Sequence, residues 1–461
     1  MKYTLLNNVD TSCQSENYIF LAFLTLFIYC VSIPFIIFDY NQDLNIKFFI
    51  SLAVFFILSL LIIVNAKTRI KQFVFPILIM NVPGAIDNFF PSFDADIYES
   101  VSLPISIISY LDLFIIGFFL VKLFIYKEQI KVKFDYFKIT FIVITIIYGF
   151  IYLFIHTSTP YSANTYAGIL VFFRLFFLLI IIDEIYIDNS INIRYFYLGL
   201  LTSFILLIMD SFVYTYIFTH AERMNHSTFA NNVFGNIIVL YYAIFLVYFK
   251  KKSIILFLIV ISMLLLTGGK AATMSFLLLF IFIYYSKHIK KNKQIIKYIF
   301  ITLFLCIIYF AYTYLATHDY IGTFSSLYTR GIIWVISIEM FSDHIFEGVG
   351  YWTWNSYKYE YDFLELGVFG THTLWGAPYL LDAHNGYLHI LSEFGIIIWI
   401  LLYSIFYYVY KRVNFYYFIP FLVWLITEIT NAGINKHQIL VFVIFFLYII
   451  YQTKHRTSER E

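Results

Sequence analysis

The sequence predicts an all-α membrane protein with many transmembrane helices, and its composition, apolar run lengths and charge distribution support this prediction. Of the 461 residues, 61% are hydrophobic and only 13% are charged. A soluble domain carries about 25% charged residues, which keep its surface wetted, so the composition excludes a water-soluble globular protein. Apolar runs of about 20 residues, each long enough to cross a bilayer core, recur along the whole chain.

These apolar runs predict helices. Backbone polar groups inside a bilayer have no water to bond, so they must be satisfied within a helix or a closed barrel. Barrel strands alternate apolar and polar residues, and these runs do not. The hydropathy window predicts about 14 spans, with a range of about 12 to 14. They lie near residues 18–38, 47–65, 72–86, 101–125, 138–156, 166–184, 195–218, 231–249, 253–268, 271–286, 296–316, 385–409, 414–431 and 438–451.

Basic connections between the predicted helices determine the orientation of the chain. All of them fall on one side of the predicted arrangement, which holds roughly 22 of the 30 Lys and Arg residues. The positive-inside rule therefore places both termini in the cytoplasm. The basic connections include residues 67–71, 127–133, 250–252, 287–297 and 411–412 and the tail after 453.

One connection on the outer side, at residues 317–384, is far longer than the others. Long ordered loops are usually functional, so we expect this extracytoplasmic loop, with short helices in it, to carry the working surface. The sequence thus divides into three parts. Residues 1–316 hold transmembrane helices 1–11, residues 317–384 form the loop, and residues 385–461 hold helices 12–14 and a cytoplasmic tail.

Three cations on the outer side break the charge pattern in contexts that suggest anion binding. Arg330 begins a stretch with apolar residues at helical spacing, which predicts an interfacial helix with Arg330, Trp334 and Ser337 on one face. A snorkelling anchor beside an interfacial tryptophan is the simpler alternative for Arg330. Lys270 lies in a Thr-Gly-Gly-Lys reversal, where a helix start would add free amides and a positive dipole end. Arg223 opens a polar outer connection.

The end of the long loop carries a histidine at the start of a predicted helix. We expect Asp382 to be the N-cap, which puts His384 and Asn385 in the first turn. An imidazole suits a general base that removes a hydroxyl proton. Asn385, His389 and Glu393 follow at i, i+4 and i+8 and form a polar stripe, in which the deep carboxylate must face a cavity or a partner. The alternative is a capping cluster in which Glu393 ties two helices together.

The order of these residues resembles the O-antigen ligase and polymerase superfamily. The family's second cation is usually arginine, whereas Lys270 is a point charge without a bidentate fork. The resemblance covers roughly residues 220–400. Its elements are Arg330…Trp334…His344…Gly348-Val-Gly350, His384-Asn385-x-Tyr387-Leu388-x-x-Leu391-x-Glu393-x-Gly395, Arg223…Phe229-x-Asn231-Asn232 and Leu266-Thr267-Gly268-Gly269-Lys270-Ala271.

The resemblance implies a membrane glycosyltransferase of the GT-C type, without a cofactor, metal or nucleotide sugar, that acts in lipopolysaccharide biosynthesis. The donor would be a glycan on undecaprenyl diphosphate at the periplasmic face of the bacterial inner membrane. His384 would act as the base and Arg330 would stabilise the leaving diphosphate. The substrate-binding residues would be Arg223, Lys270, Asn385, Glu393 and Trp334. Expected partners are membrane lipids and a chain-length regulator and flippase of the same pathway, but no nucleic acid.

The acceptor remains open between two classes. A polymerase adds the growing chain to another lipid-linked repeat unit, whereas a ligase moves the chain onto lipid A-core. We favour a polymerase, because the high Phe and Tyr content (55 and 42 residues) indicates an AT-rich coding sequence, which fits a strain-specific surface-polysaccharide locus. A transporter for lipid-linked glycan is a remote alternative, which would place its cations in a central cavity and have no oversized loop.

Overall fold

A computed structural model describes residues 46–64, 68–81, 109–130, 132–158, 162–188, 191–219, 223–224, 231–250, 253–286, 321–351, 353–357, 360–361, 383–429 and 437–458. Every regular element within these ranges is helical, which confirms the all-α prediction for this part of the chain. The α-helices, numbered along the described residues, are α1 (Ile46–Val64), α2 (Thr68–Asn81), α3 (Tyr110–Leu120), α4 (Tyr136–Phe154), α5 (Ser162–Ile182), α6 (Ile193–Val213), α7 (Asn231–Val247), α8 (Ile254–Thr267), α9 (Lys270–Ser286), α10 (Ile321–Asp343), α11 (Trp354–Tyr357), α12 (Gly386–Arg412), α13 (Phe415–Thr427) and α14 (His437–Ser458).

Each predicted span that falls within the described residues coincides with a helix, while the predicted spans at 18–38 and 296–316 lie outside them. Within the described ranges, three helices are long and apolar enough to cross a membrane by themselves, namely Tyr136–Phe154, Ile193–Tyr216 and Gly386–Arg412. Several further apolar helices have 10–17 residues. The structure therefore supports a membrane protein, and the total of about 14 spans remains a prediction.

The helix that carries Arg330 is longer than predicted. We expected short helices in the long loop, but α10 is one helix of 23 residues. Apolar residues recur at helical spacing through this stretch and no proline interrupts it, so nothing ends the helix early. Among the described side chains of α10, which follow Arg330, one side is buried and the other exposed, which confirms the amphipathic pattern there. The buried residues are Ile333, Ile336, Ser337 and Met340.

The chain forms two compact units, and the first comprises Met1–Ile97, Ile108–Ile130 and Glu184–Ala230. In this unit α2 packs against α1 and α6. Gln72 of α2 donates from Nε2 to the Ile185 carbonyl (2.9 Å) and accepts from the Asn192 amide (2.8 Å). A Cβ atom at Gly199 would lie 2.2 Å from the Phe73 carbonyl oxygen, so only glycine permits the approach of α6 to α2.

The second unit comprises Tyr98–Ile107, Lys131–Asp183 and Asn231–Glu461. In it α4 packs against α5 and α12, α7 packs against α8, α9 and α13, and α10 lies along α12. The helix α14 contacts both α5 and α12. All the predicted site residues except Arg223 belong to this unit.

An ion cluster, formed by Lys138, Asp135, Asp183 and Tyr448, joins α4, α5 and α14 within the second unit. Lys138 Nζ lies 2.8 Å from Asp135 Oδ2 and 2.7 Å from Asp183 Oδ2, and Lys138 is fully buried. The Tyr448 hydroxyl contacts the same two carboxylates at 2.5 and 2.6 Å. The charge pattern assigns these three helix ends to one side, so their contact agrees with the predicted alternation of the helices.

Candidate active site

The helix α12 begins with an asparagine cap. Asn385 Oδ1 accepts hydrogen bonds from the Tyr387 and Leu388 amides at 3.0 and 3.1 Å, and the helix begins at Gly386. The prediction that Asp382 caps this helix is therefore wrong, and Asp382 lies outside the described residues. Asparagine and aspartate are comparable caps. The helix uses the later one because His384, just before it, has a φ of +47°, which a right-handed helix does not allow.

The turn at His384 is held against the end of α13. The Gly386 amide donates to the Glu428 carbonyl (2.7 Å), and Asn385 Nδ2 donates to the Ile429 carbonyl (3.0 Å). His384 is half-buried, and a positive φ at a residue other than glycine is typical of functional sites. Because the first amides of α12 already have acceptors within the protein, an anion near His384 would have to be bound mainly by side chains. The predicted contact of Asn385 with substrate stays a prediction.

Glu393 is almost fully buried and has two partners. Its Oε2 atom lies 3.3 Å from His389 Nε2, and its Oε1 atom accepts a hydrogen bond from the Trp354 amide at 3.2 Å. The i, i+4 spacing of His389 and Glu393 predicted this stripe, and the alternative in which Glu393 ties two helices together matches the observed bond from α11 to α12. A direct contact of Glu393 with substrate stays a prediction.

The helix α12 is interrupted at Gly395, where φ is 73° and ψ is 174°. The interruption frees carbonyl groups in the preceding turn, and the segment 345–350 supplies donors for them. The Val349 amide donates to the Ser392 carbonyl (2.8 Å) and the Gly350 amide to the Glu393 carbonyl (3.0 Å). The Gly-Val-Gly element of the family resemblance thus docks against the broken helix through main-chain hydrogen bonds.

Glycine is required on both sides of this docking. A Cβ atom at Gly348 would lie 2.3 Å from the Glu393 carbonyl oxygen, and one at Gly395 would lie 2.3 Å from the Phe346 carbonyl oxygen. Both glycines also have positive φ values, of 67° and 73°, which disfavour any other residue. The spacing of the glycines in the two family elements therefore has a physical basis in the approach of two backbones.

The sequence did not reveal how Trp354 joins α10 to this site. Trp354 is fully buried, and its Nε1 atom donates to Ser337 Oγ at 3.0 Å. Ser337 Oγ in turn donates to the Ile333 carbonyl at 2.8 Å. Trp334, one turn earlier on α10, is half-buried. A serine within the apolar stripe of α10 was the available signal, because a buried hydroxyl needs a partner.

The three predicted cations occupy different places. Arg330 lies within α10, where only its backbone is described. Lys270 is exposed and is the first residue of α9, after α8 ends at a left-handed Gly268 (φ 61°). This confirms the predicted reversal and helix start. Arg223 is exposed and belongs to the first compact unit, so its meeting with the other cations stays a prediction.

The helix α7 packs against the Lys270 reversal at Gly235, and a buried amide side chain follows at the next residue. A Cβ atom at Gly235 would lie 3.0 Å from Ala272 Cβ and 3.3 Å from Thr267 Oγ1. The next residue, Asn236, is buried, and its Oδ1 and Nδ2 atoms have no hydrogen-bond partner within the described ranges. Buried amide groups nearly always have partners. Asn236 is thus a candidate contact for a polar ligand that sequence analysis missed.

A histidine cluster lies beside the docked segment. His344 Nδ1 is 3.1 Å from Glu347 Oε1, and buried His156 follows α4 close to both residues. Burial lowers the pKa of His156, and the opposing effect of the nearby Glu347 carboxylate is smaller, so the neutral imidazole is favoured. In the described part of the chain, no group of three or more His, Cys, Asp or Glu is arranged to hold a metal ion. Metal independence remains a prediction.

Comparison with known families identifies the region that contains these elements. Residues 254–403 match the family model described as O-antigen ligase. We refer to residues 254–403 as the O-antigen ligase region, after the family model that they match. The predicted resemblance to the O-antigen ligase and polymerase superfamily is thereby confirmed. The O-antigen ligase region includes Lys270, Arg330, His384 and Glu393, whereas Arg223 precedes it. A search of curated proteins finds no match. The family match supports an enzyme of the membrane glycosyltransferase type and does not separate polymerase from ligase.

Proposed function

We propose that the protein is an O-antigen polymerase of the bacterial inner membrane. It would transfer a glycan from undecaprenyl diphosphate to a lipid-linked repeat unit at the periplasmic face. The observation that carries the proposal is that, within the O-antigen ligase region, the Arg330 helix and the His384 turn are both tied to α12. The base and the cation that the chemistry needs are therefore held by one framework.

The reaction forms one bond and breaks one bond at the anomeric carbon of the donor. The acceptor hydroxyl oxygen bonds to this carbon, the bond from the carbon to the diphosphate oxygen breaks, and the hydroxyl proton passes to the His384 imidazole. The leaving diphosphate gains negative charge, which Arg330 stabilises with the help of Lys270. Side chains must supply this stabilisation, since the first amides of α12 are already hydrogen-bonded.

A ligase is the second candidate, because the matching family model is described as O-antigen ligase. A ligase would use the same donor and the same proton transfer, and it would differ only in moving the chain onto lipid A-core. The polymerase is favoured by the composition of the chain, whose 55 Phe and 42 Tyr residues fit an AT-rich, strain-specific polysaccharide locus.

A gel of surface polysaccharide from a deletion strain tests the proposal. A lipid A-core that carries a single repeat unit supports the polymerase. Bare core, with polymer retained on the lipid carrier, means that the protein is a ligase. An unchanged ladder refutes both activities.

Restoring the deletion strain with Arg330→Ala tests the role of the cation. We expect chain growth to be lost at an unchanged protein level, because the leaving charge is no longer stabilised. Arg194→Ala, which removes an exposed arginine at the start of α6, is the matched control and should restore the full ladder. Normal chain length with Arg330→Ala would refute the assigned role.

A further inference from the structure

A hydrogen-bond chain runs through three helices of the second unit. It begins at the Ile333 carbonyl of α10, which accepts from Ser337 Oγ, and Ser337 Oγ accepts from Trp354 Nε1 of α11. The Trp354 amide then donates to Glu393 Oε1 of α12 at 3.2 Å. Each link joins a different pair of groups, so the chain connects α10 to α12 without a gap.

The chain continues from Glu393 to the turn before α12. Glu393 Oε2 lies 3.3 Å from His389 Nε2, and His389 Nδ1 accepts a longer hydrogen bond, of 3.5 Å, from the Ala383 amide. Because Nδ1 is the acceptor, the ring proton belongs on Nε2, which donates to the carboxylate. One end of the chain therefore lies three residues after Arg330, and the other end immediately precedes His384.

The burial of this hydrogen-bond chain is unfavourable for folding. Its four side chains are at most 1% exposed, and a buried carboxylate without a full positive partner is unfavourable. Apolar residues of similar volume usually stabilise such a site at least as well, whereas directional bonds select one arrangement. Stability alone therefore does not account for the chain. The apolar residues clustered around it are Ile333, Ile336, Met340, Val349 and Ala383.

We infer that Ser337, Trp354, Glu393 and His389 are positioning residues, which hold the Arg330 helix and the His384 turn at a fixed separation. The inference rests on the proposed function and deepens it. In this role Glu393 acts through its two partners, Trp354 and His389. The main-chain hydrogen bonds at the interruption of α12 hold the segment 345–350 independently. The hydrogen-bond chain through the four side chains is therefore not needed to hold that segment, and its specific role is to position Arg330 and His384.

Two conservative variants break the same link. Trp354→Phe removes the Nε1 donor and Ser337→Ala removes its acceptor. Purified protein is assayed with lipid-linked repeat units extracted from cells that lack the gene, over a series of donor amounts. We expect kcat to fall about 10- to 100-fold, because small misplacements of reacting groups are costly, with little change in the donor amount at half-maximal rate. The double variant should be no slower than the slower single variant, because both changes break one bond.

Ser342→Ala is the matched control. Ser342 lies on the same helix and makes the same kind of local bond, from Oγ to the Ile338 carbonyl, but it is exposed. This variant should keep the wild-type rate. Wild-type kcat in both Trp354→Phe and Ser337→Ala, or losses that multiply in the double variant, would overturn the inference.

Hydrogen–deuterium exchange gives a readout that is independent of activity. In Glu393→Gln the amide oxygen still accepts from Trp354, but the new NH₂ group faces His389 Nε2 and moves the ring proton to Nδ1. The Ala383 amide then loses its acceptor. We expect faster exchange of the Ala383 amide, read in peptides that begin at least two residues before it, and unchanged protection of 345–350. Glu339→Gln, which changes an exposed residue of α10, is the control and should leave both unchanged.

The two proposals fail in different ways. If Arg330→Ala abolishes transfer while the Trp354 and Ser337 variants keep their kcat, only the positioning role is wrong. If Arg330→Ala keeps transfer, the role of Arg330 is wrong, and if the ladder of the deletion strain is unchanged, the proposed function itself is wrong. Unchanged exchange at residue 383 in Glu393→Gln overturns the positioning role whatever the enzyme assay shows.

Discussion

Two buried polar networks in the second unit differ in where they end. The ion cluster of Lys138, Asp135, Asp183 and Tyr448 is closed, because Lys138 and Tyr448 each contact both carboxylates, and the Gln452 amide that also donates to Asp135 Oδ2 belongs to α14 itself. The hydrogen-bond chain is open, and its ends lie beside Arg330 and His384. A closed network stabilises the packing of helices, whereas an open one fixes the relative positions of the groups at its two ends. The comparison predicts that damage to the first lowers stability and damage to the second lowers the rate.

Lys138→Met should have the largest effect on stability. The variant leaves Asp135 and Asp183 facing each other without a cation, and breaking a buried ion pair in this way costs about 3–5 kcal/mol. Denaturant titration of the purified protein in micelles measures the loss. Lys133→Met, which changes an exposed lysine near the start of the same helix, should shift the midpoint little. Equal shifts in the two variants would mean that the ion cluster contributes no particular stability.

Gly348→Ala should come next, and it should affect both properties. The new methyl group meets the Glu393 carbonyl oxygen, and the positive φ adds strain, so we expect a loss of about 1–3 kcal/mol together with most of the transfer activity. Gly331→Ala is the control, because a Cβ atom there meets nothing within 4 Å. Full activity in Gly348→Ala would show that the docked segment is not needed for transfer.

Tyr448→Phe should have a smaller effect and should separate the two networks. It removes one hydroxyl from the ion cluster but keeps both Lys138 ion pairs, so the cost should be about 1–2 kcal/mol. The rate of chain growth at matched protein level should be unchanged, because the ion cluster does not lead to His384. A large fall in rate would contradict the distinction drawn between the two networks.

His156→Gln should have the smallest effect, and only in acid. The pKa of His156 is lowered in the folded protein, so below its ordinary pKa of about 6.5 the unfolded chain takes up a proton before the folded protein does. The stabilisation from neutral His156 is therefore complete above that pH and is lost as pH falls toward the folded pKa. Thermal midpoints at pH 7.5 and 5.5 should differ less in the variant than in the wild type, and an equal difference would contradict the assignment.

Helix positions could be predicted from the sequence because hydrophobicity and helical spacing are local signals. The start of α12 was misplaced because two good caps, Asp382 and Asn385, lie three residues apart, and the backbone at His384 decides between them. The sequence does not predict the break at Gly395, because an isolated glycine in an apolar run is also tolerated in a continuous helix.

The contacts between distant residues could not be predicted in the same way. Lys138 and Tyr448 are 310 residues apart, and Ser337 and Trp354 are separated by a turn of irregular backbone. A single sequence contains no signal for such pairs, beyond the general need of a buried polar group for a partner. Glu393 illustrates the limit of prediction from sequence, because helical spacing predicts its local partner His389 but nothing in the sequence predicts its distant partner Trp354.

The docking of residues 345–350 against the break in α12 limits which segments can be exchanged between related enzymes. A transplanted outer loop would bring its own backbone donors and its own glycine at position 348, and these must match the carbonyls and the glycine of the recipient helix. We expect functional hybrids between relatives only when residues 345–350 and 392–396 come from the same parent. A change of acceptor preference should then require that residues 345–350 and 392–396 are exchanged together.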